Sequence, residues 1–200
     1  MDINTADLAT DLANAWCRMW TAQPALATDL MTEDCVQWSA DTPVLDDVVG
    51  PQQQERFITE HRARHVTVFD RRLVVADGDM FAYLWDVTFP DGTMRTGIDV
   101  NVVRGGLIGE NWTFMGQAYR PEPDPAPGDH VDGDELRGRA GDWAGVRGSQ
   151  VHRRPIVDPA TGHMVLLRTS GGVGAVDLLT LRAGTLEADW SISGSRAFRY

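Results

Sequence analysis

The chain has little that would carry it into a membrane, onto a nucleic acid or through an oxidising compartment. No stretch approaches the 18 or so apolar residues of a bilayer-spanning helix, so no transmembrane segment is predicted. The first residues, MDINTADLATD, are acidic where a secretory leader is basic, and the expected location is the cytoplasm. Long basic runs are absent too. A net charge of -11 has the wrong sign for a phosphate backbone or an anionic membrane surface, so neither nucleic acid nor membrane is expected as a partner.

Cysteine is scarce: Cys17 falls on a predicted helix and Cys35 on a predicted strand, with no CxxC or Cys/His spacing. That pattern points to two buried thiols rather than a zinc site or disulfide framework. There is no GxSxG elbow. Gly171–Gly174 lacks the following helix and the Lys-Ser/Thr of a phosphate loop, and reads as a hairpin turn. His61 and His65 stand four apart in HRARH without the glutamate of HExxH, near a helix C-terminus that favours cationic side chains. No metal and no cofactor are expected.

What is present suffices for a real core: 200 residues, 42% of them hydrophobic, make one large domain or a domain with a small companion. Thr5 or a neighbouring Asn or Asp caps a predicted helix whose apolar positions Leu8, Leu12, Ala15, Trp16, Met19 and Trp20 recur every three or four residues. A short helix is predicted over 25–31, and a third from Gly50-Pro51 to about His65. Strands follow over 66–75, 80–89, 94–104 and 107–119, separated by Asp77-Gly78, Asp91-Gly92 and Gly105-Gly106, the dipeptides of antiparallel hairpins. From Arg120 the proline-rich, acidic RPEPDPAPGDHVDGDE reads as an extended linker. Beyond it no long amphipathic helix is predicted, only short strand candidates, the last over 196–200. The expected organisation is a helix-and-sheet domain over 1–119, a linker over 120–135 and a β-rich module over 136–200.

Taking Asp91-Gly92 as a two-residue turn pairs Phe89 with Met94 and sets Asp86 opposite Gly97 and Leu84 opposite Asp99. Alternation then collects Ala82, Leu84, Asp86, Arg95, Asp99 and Asn101 on one face. Phe81, Tyr83, Trp85, Val87, Phe89, Met94, Ile98, Val100 and Val102 fall on the other. The polar face is either solvated or the wall of a half-open cavity. The aromatic face needs covering by the C-terminal module or a second subunit.

Three helices with a Trp-rich first member, followed by a meander spelling Ile98-Asp99-Val100, Arg104, Gly106-Leu107-Ile108 and Glu110-Asn111-Trp112, resemble the NTF2-like superfamily, nearest its SnoaL-like, polyketide cyclase branch, over about residues 6–119. The resemblance implies a cone of three helices and a curved antiparallel sheet holding a small hydrophobic molecule; a homodimer through the sheet is the expected partner arrangement where a second subunit covers the aromatic face. It also implies roles. Asp99 matches the aspartate that ketosteroid isomerases of this superfamily keep protonated as a hydrogen-bond donor, the classic isomerase case of a carboxylic acid held neutral. Asp86 lies near a catalytic carboxylate of limonene epoxide hydrolases. Trp16, Trp20 and Trp38 would line the cone and Asn101 would orient the ligand. Departures are equally specific: Trp16 stands near the isomerase tyrosine, Ser39 near its general base and Leu84 near the hydrolase arginine.

The expected function is cofactor-independent acid/base chemistry, a cyclisation, isomerisation or dehydration of a polyketide- or terpenoid-like compound, with Asp99 as acid and Asp86 as base. The alternative is a non-catalytic ligand-binding or assembly module. An internal repeat bears on both. Displaced by about 78 residues, Asp99, Arg104, Gly106 and Trp112 fall on Asp177, Arg182, Gly184 and Trp190. With Gly171-Gly172 as turn, Asp177 lies opposite Leu166 and near Arg168, which predicts an Arg–Asp pair where the first copy has two carboxylates. The C-terminal module is thus a partial sheet repeat or, alternatively, a lipocalin-like half barrel.

Overall fold

A computed structural model describes residues 5–199. The capping candidates ahead of Thr5 and the last residue of the 196–200 strand candidate lie outside them. Among the described residues no helix is long and apolar enough to cross a membrane.

The amphipathic pattern of the first segment forms α1 (Thr5–Thr21), which buries Leu12, Trp16 and Met19. A 3-10 turn (Pro24–Leu26) leads into α2 (Ala27–Leu30) and then β1 (Met31–Ser39). A second 3-10 turn (Pro43–Asp47) precedes α3 (Gly50–Arg62), which has proline in its first turn, where the missing N–H costs nothing. Four strands follow: β2 (Val68–Asp77), β3 (Met80–Thr88), β4 (Met94–Arg104) and β5 (Leu107–Met115). The sheet order is β1-β5-β4-β3-β2, with β1 parallel to β5 and the rest antiparallel neighbours in chain order.

The β3–β4 register differs by one residue from the sequence expectation. The Gly92 N–H donates to the Phe89 carbonyl at 2.9 Å and the Phe89 N–H to the Thr93 carbonyl at 2.8 Å. Gly92 has φ +81°. Pro90, Asp91 and Gly92 therefore form a three-residue loop, a turn closed by a left-handed glycine, instead of a two-residue turn centred on Asp-Gly. Thr88 pairs with Met94, Asp86 with Thr96, Leu84 with Ile98 and Tyr83 with Asp99. One residue of slip exchanges faces. Asp99 and Asn101 join Phe81, Tyr83 and Trp85 on the side of α1, whereas Asp86 goes with Leu84, Ile98 and Val100 on the other.

The C-terminal part contains a helix where none was predicted. In α4 (Gly133–Val146) Leu136, Ala140 and Ala144 recur every four residues and are buried. Gly138, Gly141 and Gly145 have open space around them. The glycines lower helix propensity and masked the stripe. The Asp132 carboxylate offsets this by accepting from the N–H groups of Asp134 and Glu135. The helix begins inside the expected linker. Upstream of it, Arg72 gathers the extended chain through the Asp124 carboxylate at 2.8 Å and the carbonyls of Arg120 and Glu122.

The second sheet runs β10-β9-β8-β6, with β7 also on β8: β6 (Gln150–Val151), β7 (Ile156–Asp158), β8 (His163–Ser170), β9 (Val173–Arg182) and β10 (Thr185–Ser193). No strand forms over 196–199. The Gly171-Gly172 register is the expected one, with Ser170 on Val173 and Leu166 on Asp177.

The two sheets pack face to face. Trp38, Leu84, Ile98, Val100, Trp112 and Phe114 of the first meet Ile156, Val165, Leu167, Val176, Leu178 and Trp190 of the second. The C-terminal sheet thus covers the aliphatic and Trp112 face, not the Phe81–Tyr83–Trp85 face, for which cover by this module or a second subunit was expected and against which the helices pack instead. Outside it, α4 packs on Met164, Leu166, Leu179 and Leu181. The layers run helices, sheet, sheet, helix.

Candidate functional site

The Phe81–Tyr83–Trp85 face does not pack flush against the helices. It encloses a cavity of about 180 Å³ whose walls come from α1, α3 and the first sheet. Trp16, Trp20, Phe57, Phe69, Trp85 and Phe89 are among its lining residues, and Asp99 lies at its wall. Trp16 is buried, while Trp20, Phe57 and His61 are half-buried and Asp41 is exposed, so the latter group marks the mouth.

Asp99 is 4% exposed and held by neutral donors: the Tyr83 hydroxyl at 3.0 Å, the Trp85 indole N–H at 2.8 Å and the Asn111 amide at 3.2 Å. Gly97 makes the second of these possible. It pairs with Trp85, and a Cβ there would sit inside the indole ring. Burial pushes the Asp99 carboxyl above its ordinary 3.8, opposed by hydrogen bonds from Thr113, Trp85, Tyr83 and Asn111. Burial and the nearby Asp99 charge hold Tyr83 well above 10, so it remains a phenol and a donor. Cys17, also in the cavity wall, is pushed up to about 12, chiefly by burial, and stays a thiol. His61 is lowered, first by burial and then by His65, Arg62 and Arg64, which leaves a neutral imidazole at pH 7.

The remaining sequence candidates lie elsewhere. Asp86 faces the opposite side of the sheet, where the Thr96 hydroxyl donates to it at 2.6 Å and Arg72 lies at 3.5 Å. It shares no cavity with Asp99, so the expected pair of carboxylates is not assembled. Trp38 is fully buried between the sheets, its ring tilted against Phe114 and Phe198, with its N–H donating to the Ala197 carbonyl at 3.0 Å. It reaches that face because β1 pairs Trp38 with Trp112. Asn101 is on the Asp99 side but behind the cavity wall, accepting from the Asn111 amide at 2.9 Å. Trp16 and Trp20 line the cavity as expected from position. Sequence reasoning weighed His61 only as a metal ligand and passed over Tyr83, Trp85 and Asn111; the Pro90-Asp91-Gly92 spelling, read as a three-residue loop, would have brought Tyr83 and Trp85 to Asp99.

The second copy of the repeat places Asp177 in the same relation to its sheet but not to a cavity. Arg168 binds it twice, at 2.7 and 3.1 Å, and the Trp143 N–H of α4 donates at 3.0 Å. The expected Arg–Asp pair is present.

Three helices packed against a curved five-stranded sheet of order β1-β5-β4-β3-β2 carry the site. Similar solved structures include a proposed ketosteroid isomerase from Kribbella flavida, at 20% identity over 61% of this chain and 87% of that one, TM-score 0.49. An NTF2-like protein of unknown function from Mesorhizobium loti matches at 19% over 58% and 97%, TM-score 0.47. A proposed polyketide cyclase from Acidithiobacillus ferrooxidans matches at 17% over 57% and 92%, TM-score 0.47. No protein-family model matches the sequence, and no curated protein matches it.

Because the folded Asp99 carboxyl holds its proton more tightly than the unfolded one, its contribution turns against folding as pH rises from the unfolded value through the folded one. Asp99→Asn lacks that term. Its stability relative to wild type is expected to improve on going from near pH 3.8 towards neutrality, read by urea unfolding across the pH series. A relative stability that falls with rising pH would reverse the sign assigned to the shift.

Proposed function

We propose that this protein is a cofactor-independent acid/base enzyme that cyclises, isomerises or dehydrates a small hydrophobic compound in the aromatic cavity, with Asp99 exchanging the proton. The observation that carries this reading is a fully buried carboxyl with a raised pKa at the wall of a cavity rich in aromatic side chains. A carboxyl moved towards neutrality is a better proton-exchange group than one at its ordinary value. Tyr83, Asn111 and the neutral His61 supply further polar contacts around the bound molecule. Asp86, on the far face, has no part in this chemistry.

Size narrows the compound. A cavity of roughly 150 Å³ holds benzene, and sites for drug-sized ligands run from about 300 Å³ upward. At about 180 Å³ the cavity fits a single substituted ring or a monoterpenoid; a longer polyketide would place only its reacting end inside. The protein acts in the cytoplasm without a nucleic-acid or membrane partner, in keeping with its net charge of -11. A second subunit would dock elsewhere than on the covered sheet face.

Incubation with a panel of monocyclic and monoterpenoid ketones, alcohols and epoxides, read by mass spectrometry for isomers and dehydration products, tests the reading. Turnover by wild type and a loss of about 10²–10⁴-fold in Asp99→Asn are expected. Undiminished turnover in the variant would remove Asp99 from the chemistry. Binding without turnover would favour the second reading, a ligand-binding module. One observation speaks for that reading: three protein donors already occupy the Asp99 oxygens.

A further inference from the structure

We infer that the cavity selects a cationic ligand, a ring or compact apolar body carrying a protonated or quaternary amine, for which Asp99 is the counter-ion and the surrounding rings are the cage. The inference rests on the reading of the cavity as the ligand site and adds the ligand's charge.

The internal repeat supplies the first observation. Asp177 is buried and neutralised within the protein by Arg168, which stands opposite Ala175 on the neighbouring strand. Gly97 is the residue 78 positions earlier, and its cross-strand partner is Trp85. The place that holds the guanidinium in the second copy therefore holds an indole in the first. Trp85 donates one neutral N–H to Asp99 and brings no charge. The other donors, Tyr83 and Asn111, are neutral as well. Neutral donors orient and partly solvate the carboxyl, but when it is ionised its charge has no counter-charge among the described cavity-lining residues, so a bound cation would favour the ionised form that burial disfavours.

The second observation is the lining. Among the described residues no arginine lines the cavity, and the sequence contains no lysine. The only nitrogen base in the wall, among the described residues, is His61, held neutral by its surroundings. At the mouth Asp41 adds another carboxylate. An anionic ligand would find no cationic side chain among the described lining residues. A cation would meet Trp16, Trp20, Phe57, Phe69, Trp85 and Phe89, whose ring faces attract positive charge, in a desolvated setting where the attraction is strongest. The Asp177 site has its cation built in and no such cavity; the Asp99 site has the cavity and lacks the cation.

Phenyltrimethylammonium and tert-butylbenzene have the same shape and differ by one charge, so calorimetric titration of the full chain with each isolates the charge preference. The cation is expected to bind about tenfold or more tightly than the hydrocarbon, and Asp99→Asn to reduce that preference severalfold while leaving tert-butylbenzene within about twofold. Equal binding of the two by wild type overturns the inference and leaves the cavity as a hydrophobic ligand site. Binding of neither overturns the cavity reading itself. The wild-type comparison needs no variant. Should Asp99→Asn fail to fold, Trp20→Leu at the mouth is expected to weaken the cation more than the hydrocarbon, and an equal loss for both would count against the cage.

Discussion

A chain ending at Tyr119 is expected to aggregate or dimerise rather than fold as a monomer. Truncation there uncovers Trp38, Leu84, Ile98, Val100, Trp112 and Phe114, all buried against the second sheet in the full chain. Burial of side chains of this size contributes roughly 1.5–3 kcal/mol each, so six of them rival the ~5–15 kcal/mol by which a whole domain is stable. The fragment keeps all of α1–α3 and β1–β5, and a second copy laid on the same face would restore the burial. Light scattering after size-exclusion chromatography, with circular dichroism of the eluted species, distinguishes the cases. A folded monomeric fragment would mean that the inter-sheet contact is dispensable. In the full chain, the C-terminal sheet does within one polypeptide what a partner subunit would otherwise do.

Arg168→Met is expected to lower stability by about 3–5 kcal/mol, because it strands Asp177 as an uncompensated buried charge. The side chains of the pair are 10% and 1% exposed, so solvent screens them little. Adding Asp177→Leu removes the stranded charge and is expected to recover most of the loss, leaving the Trp143 N–H without its acceptor. Urea unfolding of both variants, with comparable denaturant slopes, measures the coupling. A single-variant loss under about 1 kcal/mol would show that water reaches the site freely. The contrast with Asp99 is the informative part: the same strand position is charge-paired in one copy and open to a cavity in the other.

Much of the architecture was legible because it rests on local signals. The three- and four-residue spacing from Leu8 to Trp20 specified α1, and Pro51 opened α3 where its missing N–H is harmless. Gly171-Gly172 set the β8–β9 register correctly because two glycines in tandem suit only a two-residue turn there. From that register the Arg168–Asp177 pair followed. The same reasoning failed at Asp91-Gly92, where Pro90 completes a three-residue loop. Strand alternation repeats every two residues, so an error of one moved Asp99 from the wall of the cavity to the wrong face and paired it with Asp86. The stripe of α4 was hidden by three exposed glycines whose low helix propensity outweighs, locally, the Leu136–Ala140–Ala144 spacing.

By itself, then, the sequence determined an α+β chain, the helices and antiparallel strands of its first 115 or so residues, the duplicated hairpin and its second ion pair, all products of contacts within a few residues or one turn. Only the tertiary structure decided that Asp99 belongs with Tyr83 and Trp85 in a cavity, that Asp86 and Trp38 face away from it, and that the second sheet covers the first. Each of those depends on which side of a sheet a neighbour lies. Periodicity sorts side chains into two sets but does not say which set faces the helices; loop closure and packing across the sheet do.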